Sequence, residues 1–302
     1  MTDPRIYPLI DVSHERLQAL VGAPIFGVER VEGGFTNTIH KVRLEGGETL
    51  AVKHYAGGVD SFGAELATLT LLHGTLPVPD VVHADEAAPV IVYKWIEGIT
   101  LNDLRKAGPP EAFASIAEPL GRLLAWLART DATEAFELTP ILERCYAQLT
   151  SGLARERLGA PLADAIRKGL EAAEPTLSWG TVCLSHGDLG GRNLIVQPAS
   201  GDRWRISGVI DWEATTTGSP LADLGSLFRY AHRYDAAWID AFERGYREAD
   251  GVLPEGWLRL ARLLDATWQV DTLDESRELP GVFADCKEIL ARLAAELASD
   301  SS

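Results

Sequence analysis

The stretch Ser185-His186-Gly187-Asp188-Leu189-Gly190-Gly191-Arg192-Asn193-Leu194-Ile195-Val196, followed by Val209-Ile210-Asp211-Trp212-Glu213, constrains this chain more than any other part of it. It sets two carboxylates, Asp188 and Asp211, and one carboxamide, Asn193, at the ends of two apolar runs that read as paired strands. Taken alone, Asp and Asn beside two glycines would also suit an ordinary hairpin turn. Ile210-Asp211-Trp212, placed after one further strand, gives the turn a second polar partner and shifts the reading toward chemistry.

Phosphoryl transfer needs this set of groups. One carboxylate orients an attacking hydroxyl and accepts its proton, while the other, with an amide oxygen, holds the Mg²⁺ that neutralises phosphates. Asp188 and Asn193 have the Asp-x-x-x-x-Asn spacing of a kinase catalytic loop, although His-Gly precedes the Asp where His-Arg is usual.

The 302 residues suffice for two lobes, each with its own core. The apolar share is 46% and the charged share 24%. That balance is typical of a soluble globular protein. No apolar run approaches the roughly 20 residues that span a bilayer. Met1–Arg5 lacks the layout of a signal peptide. Cys145, Cys183 and Cys286 are far apart and odd in number, matching neither a disulfide framework nor a zinc spacing. A reducing cytoplasm is therefore the expected compartment. A net charge of -16 argues against nucleic acid and anionic membrane as partners, and nothing points to an obligate protein partner. The acidity permits a cationic substrate, and equally serves solubility alone.

Alternating apolar positions over 25–55, broken by Glu32-Gly33-Gly34 and Glu45-Gly46-Gly47-Glu48, predict a three-stranded meander. A helix is expected over 61–74, capped by Ser61 and stopped at Gly74. Pro77-Val78-Pro79 opens a loop into 81–83, and an apolar strand at 90–96 follows, closed by Glu97-Gly98. From about residue 101, Ala/Leu-rich helical patterns cover 111–130, 139–157 and 161–173, and further helices are expected at 220–234, 236–249, 256–270 and 283–298. A catalytic hairpin at 182–212 interrupts them. The division implied is an N-terminal nucleotide-binding lobe, 1–97, and a C-terminal catalytic and substrate-binding lobe, 98–302.

Within the first lobe, Leu50-Ala51-Val52-Lys53-His54-Tyr55 reads as a strand with Ala51 and Lys53 on one face. A lysine facing a cleft supplies a point charge for the phosphates of ATP. Glu65, twelve residues on in the next helix, is spaced to fix its ammonium; both residues also suit plain surface charges, since carboxylates favour a first helical turn. The turn Gly33-Gly34-Phe35-Thr36-Asn37-Thr38 lies where a phosphate-covering loop belongs. Gly34, Phe35, Thr36 and Asn37 are its candidate contacts, although a simple hairpin turn fits too. Main-chain groups of Lys94 and Ile96, around Trp95 where the lobes join, are candidates for pairing with the adenine edge.

In this order, the strand lysine, helix glutamate, hinge strand, His-Gly-Asp loop and Ile-Asp-Trp segment resemble the aminoglycoside phosphotransferase family, the small-molecule branch of the protein-kinase-like fold. The similarity runs over nearly the whole chain and is most specific from His186 to Asn193 and from Val209 to Asp223. It implies an α+β, bilobal fold, with a small antiparallel sheet and one helix in the N-lobe and a larger, mainly helical C-lobe. It implies a small-molecule kinase using ATP, or GTP, with Mg²⁺. Asp188 would be the catalytic base and Asn193 and Asp211 the metal ligands. Asp223, in Gly218-Ser219-Pro220-Leu221-Ala222-Asp223-Leu224, would brace the catalytic loop through backbone amides at a helix start, a capping role.

Two positions depart from the family's usual pattern. Gly190-Gly191-Arg192 replaces the common His-Pro-Gly, and Arg192 has alternative fates at the γ-phosphate, on an acidic substrate or in solvent. Glu213 would reach the acceptor side or lie behind the metal. In the family the helical lobe forms the acceptor site, and here Trp268, Asp271, Asp274 and Glu275 cluster carboxylates beside an aromatic face. That combination suits a polyamine-like hydroxyl acceptor such as an aminoglycoside or basic peptide antibiotic, or is simply a solvated helix end. Relatives acting on macrolides, homoserine, choline-like alcohols, sugars or fructosamines share the motifs. A protein kinase is disfavoured by the absence of Asp-Phe-Gly, Ala-Pro-Glu and an activation-loop-length segment after Asp211. A non-catalytic nucleotide-binding regulatory module is the remaining alternative, one that would not need the base.

Overall fold

The computed structural model describes residues 7–32, 36–131, 136–200 and 203–299. The chain divides into two compact units. One runs through the described residues up to Ile116 and resumes over Gly191–Thr215; the other holds Ala117–Gly190 and the described residues from Thr216 onward. The fold is of the α+β class expected.

The first unit opens with α1 (His14–Val21), capped by the Ser13 hydroxyl and closed by Gly22. Five strands follow: β1 (Ile25–Arg30), β2 (Thr38–Leu44), β3 (Thr49–His54), β4 (Val81–Asp85) and β5 (Val90–Lys94), with α2 (Val59–Leu72) between β3 and β4. They form an antiparallel sheet in the order β1-β2-β3-β5-β4. Strand alternation divides its side chains. Val42, Leu44, Leu50, Val52, Val90 and Val92 meet Leu17 and Leu20 of α1, whereas Ala51, Tyr55, Ile91 and Tyr93 meet Phe62 of α2. Lys53 follows the second set, toward α2. The helix begins at Val59 rather than Ser61, with Gly58 as N-cap, and ends at Leu72; Gly74, left-handed at φ 74 degrees just past the C-cap His73, is the stop expected there.

The expected boundary at residue 97 falls inside this unit. β6 (Ile99–Thr100) is paired with β8 (Leu194–Pro198), which pairs in turn with β9 (Trp204–Val209), so backbone bonding carries residues 98–100 and 191–215 into the first unit. The helix α3 (Leu101–Ala107) also belongs to it, and α4 (Pro110–Leu127) leads out of it.

The second unit contains α5 (Thr139–Ser151), α6 (Leu153–Leu158), α7 (Ala160–Leu177), β7 (Cys183–Ser185), β10 (Thr216–Gly218), α8 (Leu221–Leu227), α9 (Ala236–Glu248), α10 (Trp257–Asp274) and α11 (Pro280–Ser299). β7 pairs with β10 and not with β8, so the segment around Asp188 joins two small sheets rather than forming one hairpin. α10 carries buried residues around most of its circumference, as a helix in the middle of a bundle must. Gly121 and Gly245 let α4 and α9 touch: a Cβ at either would collide with a carbonyl oxygen of the other helix. Cys145, Cys183 and Cys286 are all buried and free. No helix among the described residues is long and apolar enough to cross a membrane.

On the α1 side of the sheet, His40 and His54 lie edge to face with centroids 5.7 Å apart. Burial, then the charges of His40 and Arg16, lowers the His54 pKa to about 4, and burial with Arg30 lowers that of His40 against the opposing pull of Asp11. The unfolded chain takes up a proton near pH 6.5 that folded His54 refuses until about pH 4. Stability to urea should therefore fall as pH drops through that window. His54→Gln should flatten this acid limb, and an unchanged limb would show that His54 carries no such linkage.

Candidate active site

In the first unit, Lys53 is 1% exposed and surrounded by carboxylates. Its Nζ lies 2.5 Å from Glu65 Oε2, 2.5 Å from Asp211 Oδ1 and 3.3 Å from Glu213 Oε2. Burial disfavours the ammonium, but Glu65, Asp211, Tyr55 and Glu213 outweigh it and hold the Lys53 pKa well above the ordinary lysine value. Burial also raises the Glu213 pKa, against the pull of Lys53. The geometry follows from local structure. β3 directs Lys53 toward α2, and Glu65 lies on the buried face of that helix, beside Phe62 and Leu69.

Asp211 reaches the same place through backbone pairing. In the β8–β9 hairpin Leu194 faces Val209, and beyond it the Ile210 amide donates to the Asn193 carbonyl at 3.0 Å. Asn193, which is buried, therefore stands opposite Ile210 and beside Asp211. Asp211 adopts a left-handed backbone conformation, with φ 70 and ψ 57 degrees. Such a conformation is uncommon outside glycine and is often met where a site fixes a side chain. Trp212, fully buried, anchors the segment by donating from Nε1 to the Val209 carbonyl. Donor oxygens of Glu65, Asp211 and Glu213 all lie within 4.8 Å of one another. An all-oxygen set suits a hard divalent cation such as Mg²⁺.

Of the expected phosphate-loop residues, Gly34 and Phe35 lie outside the described residues. Thr36 is half-buried just ahead of β2, and Asn37 is buried. The Asn37 side chain bridges two elements, accepting from the Ala56 amide at 3.2 Å and donating to Glu213. Glu213 is thus brought to Lys53 and Asn37 rather than to the acceptor-side residues with which it was grouped. At the end of β5, the Lys94 amide is spent on the Asp80 carbonyl and its ammonium lies 3.5 Å from the Asp80 carboxylate. Ile96 makes no main-chain hydrogen bond among the described residues. Arg192 is exposed.

In the second unit, Asp223 fixes the loop that carries Asp188. Its carboxylate accepts from Ser185 Oγ at 2.9 Å, the His186 amide at 2.8 Å and the Gly187 amide at 3.1 Å. Asp223 is the third residue of α8, whose N-cap is Pro220, so it braces the loop without capping its own helix. The Asp188 amide donates to His186 Nδ1 at 3.3 Å, and the Asp188 side chain is partly exposed.

Trp268 is 48% exposed, and the Arg229 guanidinium lies 4.6 Å from its ring centroid. Arg229 is clamped by both oxygens of Asp265, at 2.9 and 3.0 Å. Burial opposes the Arg229 charge, while Asp265 and then Asp188 support it, so the pair stands within the electrostatic reach of Asp188. The neighbouring acids are otherwise engaged. Asp271 accepts from Gln148 at 2.8 Å and pairs with Arg144 at 3.2 Å. Asp274 accepts from the Ala154 amide at 3.0 Å, and a side chain at Gly152 would collide with it, so Asp274 secures the α5–α6 junction. Glu275 is exposed and offers its main-chain carbonyl to Arg157. The structure therefore does not gather these acids around Trp268 as one cluster. Tyr55, Arg229 and Asp265 were not singled out from the sequence; for Tyr55 the signal was present, since it shares the strand face of Lys53.

The profile of the phosphotransferase enzyme family matches residues 27–263, spanning the Lys53, Asp188 and Asp211 segments. The chain belongs to that family. A viomycin phosphotransferase of Streptomyces vinaceus is 31% identical over 146 residues, 46% of this chain. The match spans about half of that relative's length, 49%. Among solved structures of similar fold is an aminoglycoside 2'-phosphotransferase-IIIa in complex with GDP, with a TM-score of 0.75 and 18% identity over 93% of this chain and 96% of that one. A macrolide 2'-phosphotransferase of Brachybacterium faecium aligns with a TM-score of 0.64 and 20% identity, covering 93% and 96% of the two chains. At these identities the structural likenesses establish the family's kinase-like fold.

Proposed function

We propose that this phosphotransferase moves the terminal phosphate of a purine nucleotide, ATP or GTP, to a hydroxyl of a small cationic acceptor of the aminoglycoside or basic peptide antibiotic class. The observation that carries the nucleotide reading is the buried Lys53 ammonium, held by Glu65 and shared with Asp211. A cation placed so deep, with more carboxylates than it can neutralise, is set to exchange one of them for phosphate oxygens. Asp211, whose carboxylate lies within 4.8 Å of donor oxygens of Glu65 and Glu213, would hold Mg²⁺ together with the neighbouring Asn193; when bound it would neutralise the charge that develops on the transferring phosphate.

Asp188 orients the acceptor hydroxyl and takes its proton. The bond from that oxygen to the terminal phosphorus forms as the bridging P–O bond breaks, and the nucleoside diphosphate leaves. Lys53 holds the remaining phosphates, Glu65 steadies Lys53, and Thr36 and Asn37 lie at the phosphate loop. Main-chain groups at Ile96 are suited to the purine edge, and because main-chain pairing reads little of the base, ATP and GTP are both admissible. The acidic balance of the chain and the likenesses to viomycin and aminoglycoside phosphotransferases support the acceptor class. Three free, buried cysteines accord with a reducing, cytoplasmic setting.

Nucleotide consumption by the purified protein, screened against aminoglycosides, basic peptide antibiotics, macrolides, amino alcohols and sugars, tests the acceptor. Consumption driven by a neutral class alone would overturn the cationic assignment. The metal role has its own test. Asp211→Ala should abolish the Mg²⁺-dependent part of nucleotide affinity in calorimetry, and a variant whose affinity still rises with Mg²⁺ as the wild type's does would refute it.

A further inference from the structure

Tyr55 lies two residues beyond Lys53 along the line of β3, so strand alternation sends both side chains to the same face. Its hydroxyl donates at 2.7 Å to Glu65 Oε2, the oxygen that Lys53 reaches at 2.5 Å. Its ring packs edge to face on Phe62, with centroids 5.7 Å apart, in the helix that carries Glu65. Lys53 Nζ also lies 5.0 Å from the centre of the Tyr55 ring. The second Glu65 oxygen, Oε1, is buried and has no hydrogen-bond partner among the described residues. Two donors therefore converge on one oxygen of a carboxylate that is 1% exposed, and only one of them belongs to the lysine.

The two donors are not equivalent. Lys53 is shared among three carboxylates, and an ammonium has three protons to give. A nucleotide that recruits Lys53 draws on that same supply. The Tyr55 hydroxyl has no such competitor. Burial, with the nearby Glu65 charge, pushes its pKa far up, so it remains a donor at every working pH. A buried tyrosine needs some partner for its hydroxyl, and a purely structural Tyr55 would find one anywhere nearby. Here the partner is the carboxylate that aims the lysine.

We propose that Tyr55 is a positioning residue for phosphoryl transfer, holding Glu65 in place while Lys53 turns from its carboxylates to the nucleotide phosphates. This rests on the nucleotide reading given above. The test is a double-mutant cycle of Tyr55→Phe and Glu65→Gln, read by calorimetry of Mg-ADP binding and by steady-state kinetics. Tyr55→Phe keeps the ring and its packing, so the fold is retained. Loss of a hydrogen bond to a charged group should weaken Mg-ADP about tenfold and raise the nucleotide KM alike, with kcat nearly unchanged. In the Glu65→Gln background the same change should alter affinity less than about twofold, because the charge it serves is gone. Equal effects in both backgrounds would mark a structural role and overturn the proposal, as would unaltered binding in Tyr55→Phe. A wild-type protein that binds no Mg-ADP would instead overturn the nucleotide reading, and this proposal with it.

Discussion

Asp188→Asn is expected to lower kcat by about 10³-fold while leaving nucleotide affinity within about twofold of wild type, the size of effect that removal of a general base commonly has. The substitution is nearly isosteric. The loop beneath it is held from below by three hydrogen bonds to Asp223, and the Asp188 main chain by His186, none of which uses the Asp188 carboxylate. The loss should therefore fall on the chemical step, since an amide accepts no proton from the acceptor hydroxyl. Steady-state kinetics with calorimetry separates the cases. Turnover near wild type would remove Asp188 from the base role, and loss of nucleotide binding would show that the loop had not survived.

Lys53→Met should be the most damaging change for stability. Removing one partner of a buried ion pair leaves an uncompensated charge, at a typical cost of about 3–5 kcal/mol. Here Glu65, Asp211 and Glu213 all face the vacated position. The pH dependence has a definite sign. In the wild type the folded Lys53 pKa lies above its unfolded value of 10.5, so its contribution is complete below that value and is lost only as pH rises through the folded one. In the variant the stranded carboxylates bind protons more readily than they do in the unfolded chain. The deficit should therefore shrink as pH is lowered from about 8 toward about 5. Urea denaturation at the two pH values tests this. A deficit under ~1 kcal/mol, or one that grows toward acid, would contradict the picture of a lysine neutralising its surroundings.

What could be read from the residues was what local geometry determines. The period of a strand puts Lys53 toward α2, and twelve residues of strand, turn and helix suffice to bring Glu65 to it. Asn193 and Asp211 were legible because a hairpin register needs only the sequence between them. Elements that depend on distant partners were not. β7 pairs with β10 across some thirty residues of intervening chain, so the expected single hairpin resolved into two small sheets. Glu213 was divided between the acceptor side and a place behind the metal, and the approach of Asn37 from the start of β2, with Lys53 3.3 Å away, brings it to the side of Asp211. Asp271 and Asp274 follow Trp268 closely in sequence and have a polyamine-binding composition. Yet helical rotation turns them toward Gln148, Arg144 and the α5–α6 junction. Composition could not distinguish a ligand-binding acid from one holding a backbone amide. α1 went unread because eight residues with only two buried leucines carry little periodic signal, although Ser13 and Gly22 mark its ends.

The most direct measurement is product formation: incubation with γ-labelled nucleotide, Mg²⁺ and a panel of hydroxyl-bearing aminoglycosides and basic peptide antibiotics, wild type beside Asp188→Asn. Label recovered as a phosphate ester of a cationic acceptor with the wild type, and reduced about 10³-fold with the variant, is the predicted result. Label released only as inorganic phosphate, at the same rate with and without acceptor and in both proteins, would contradict it.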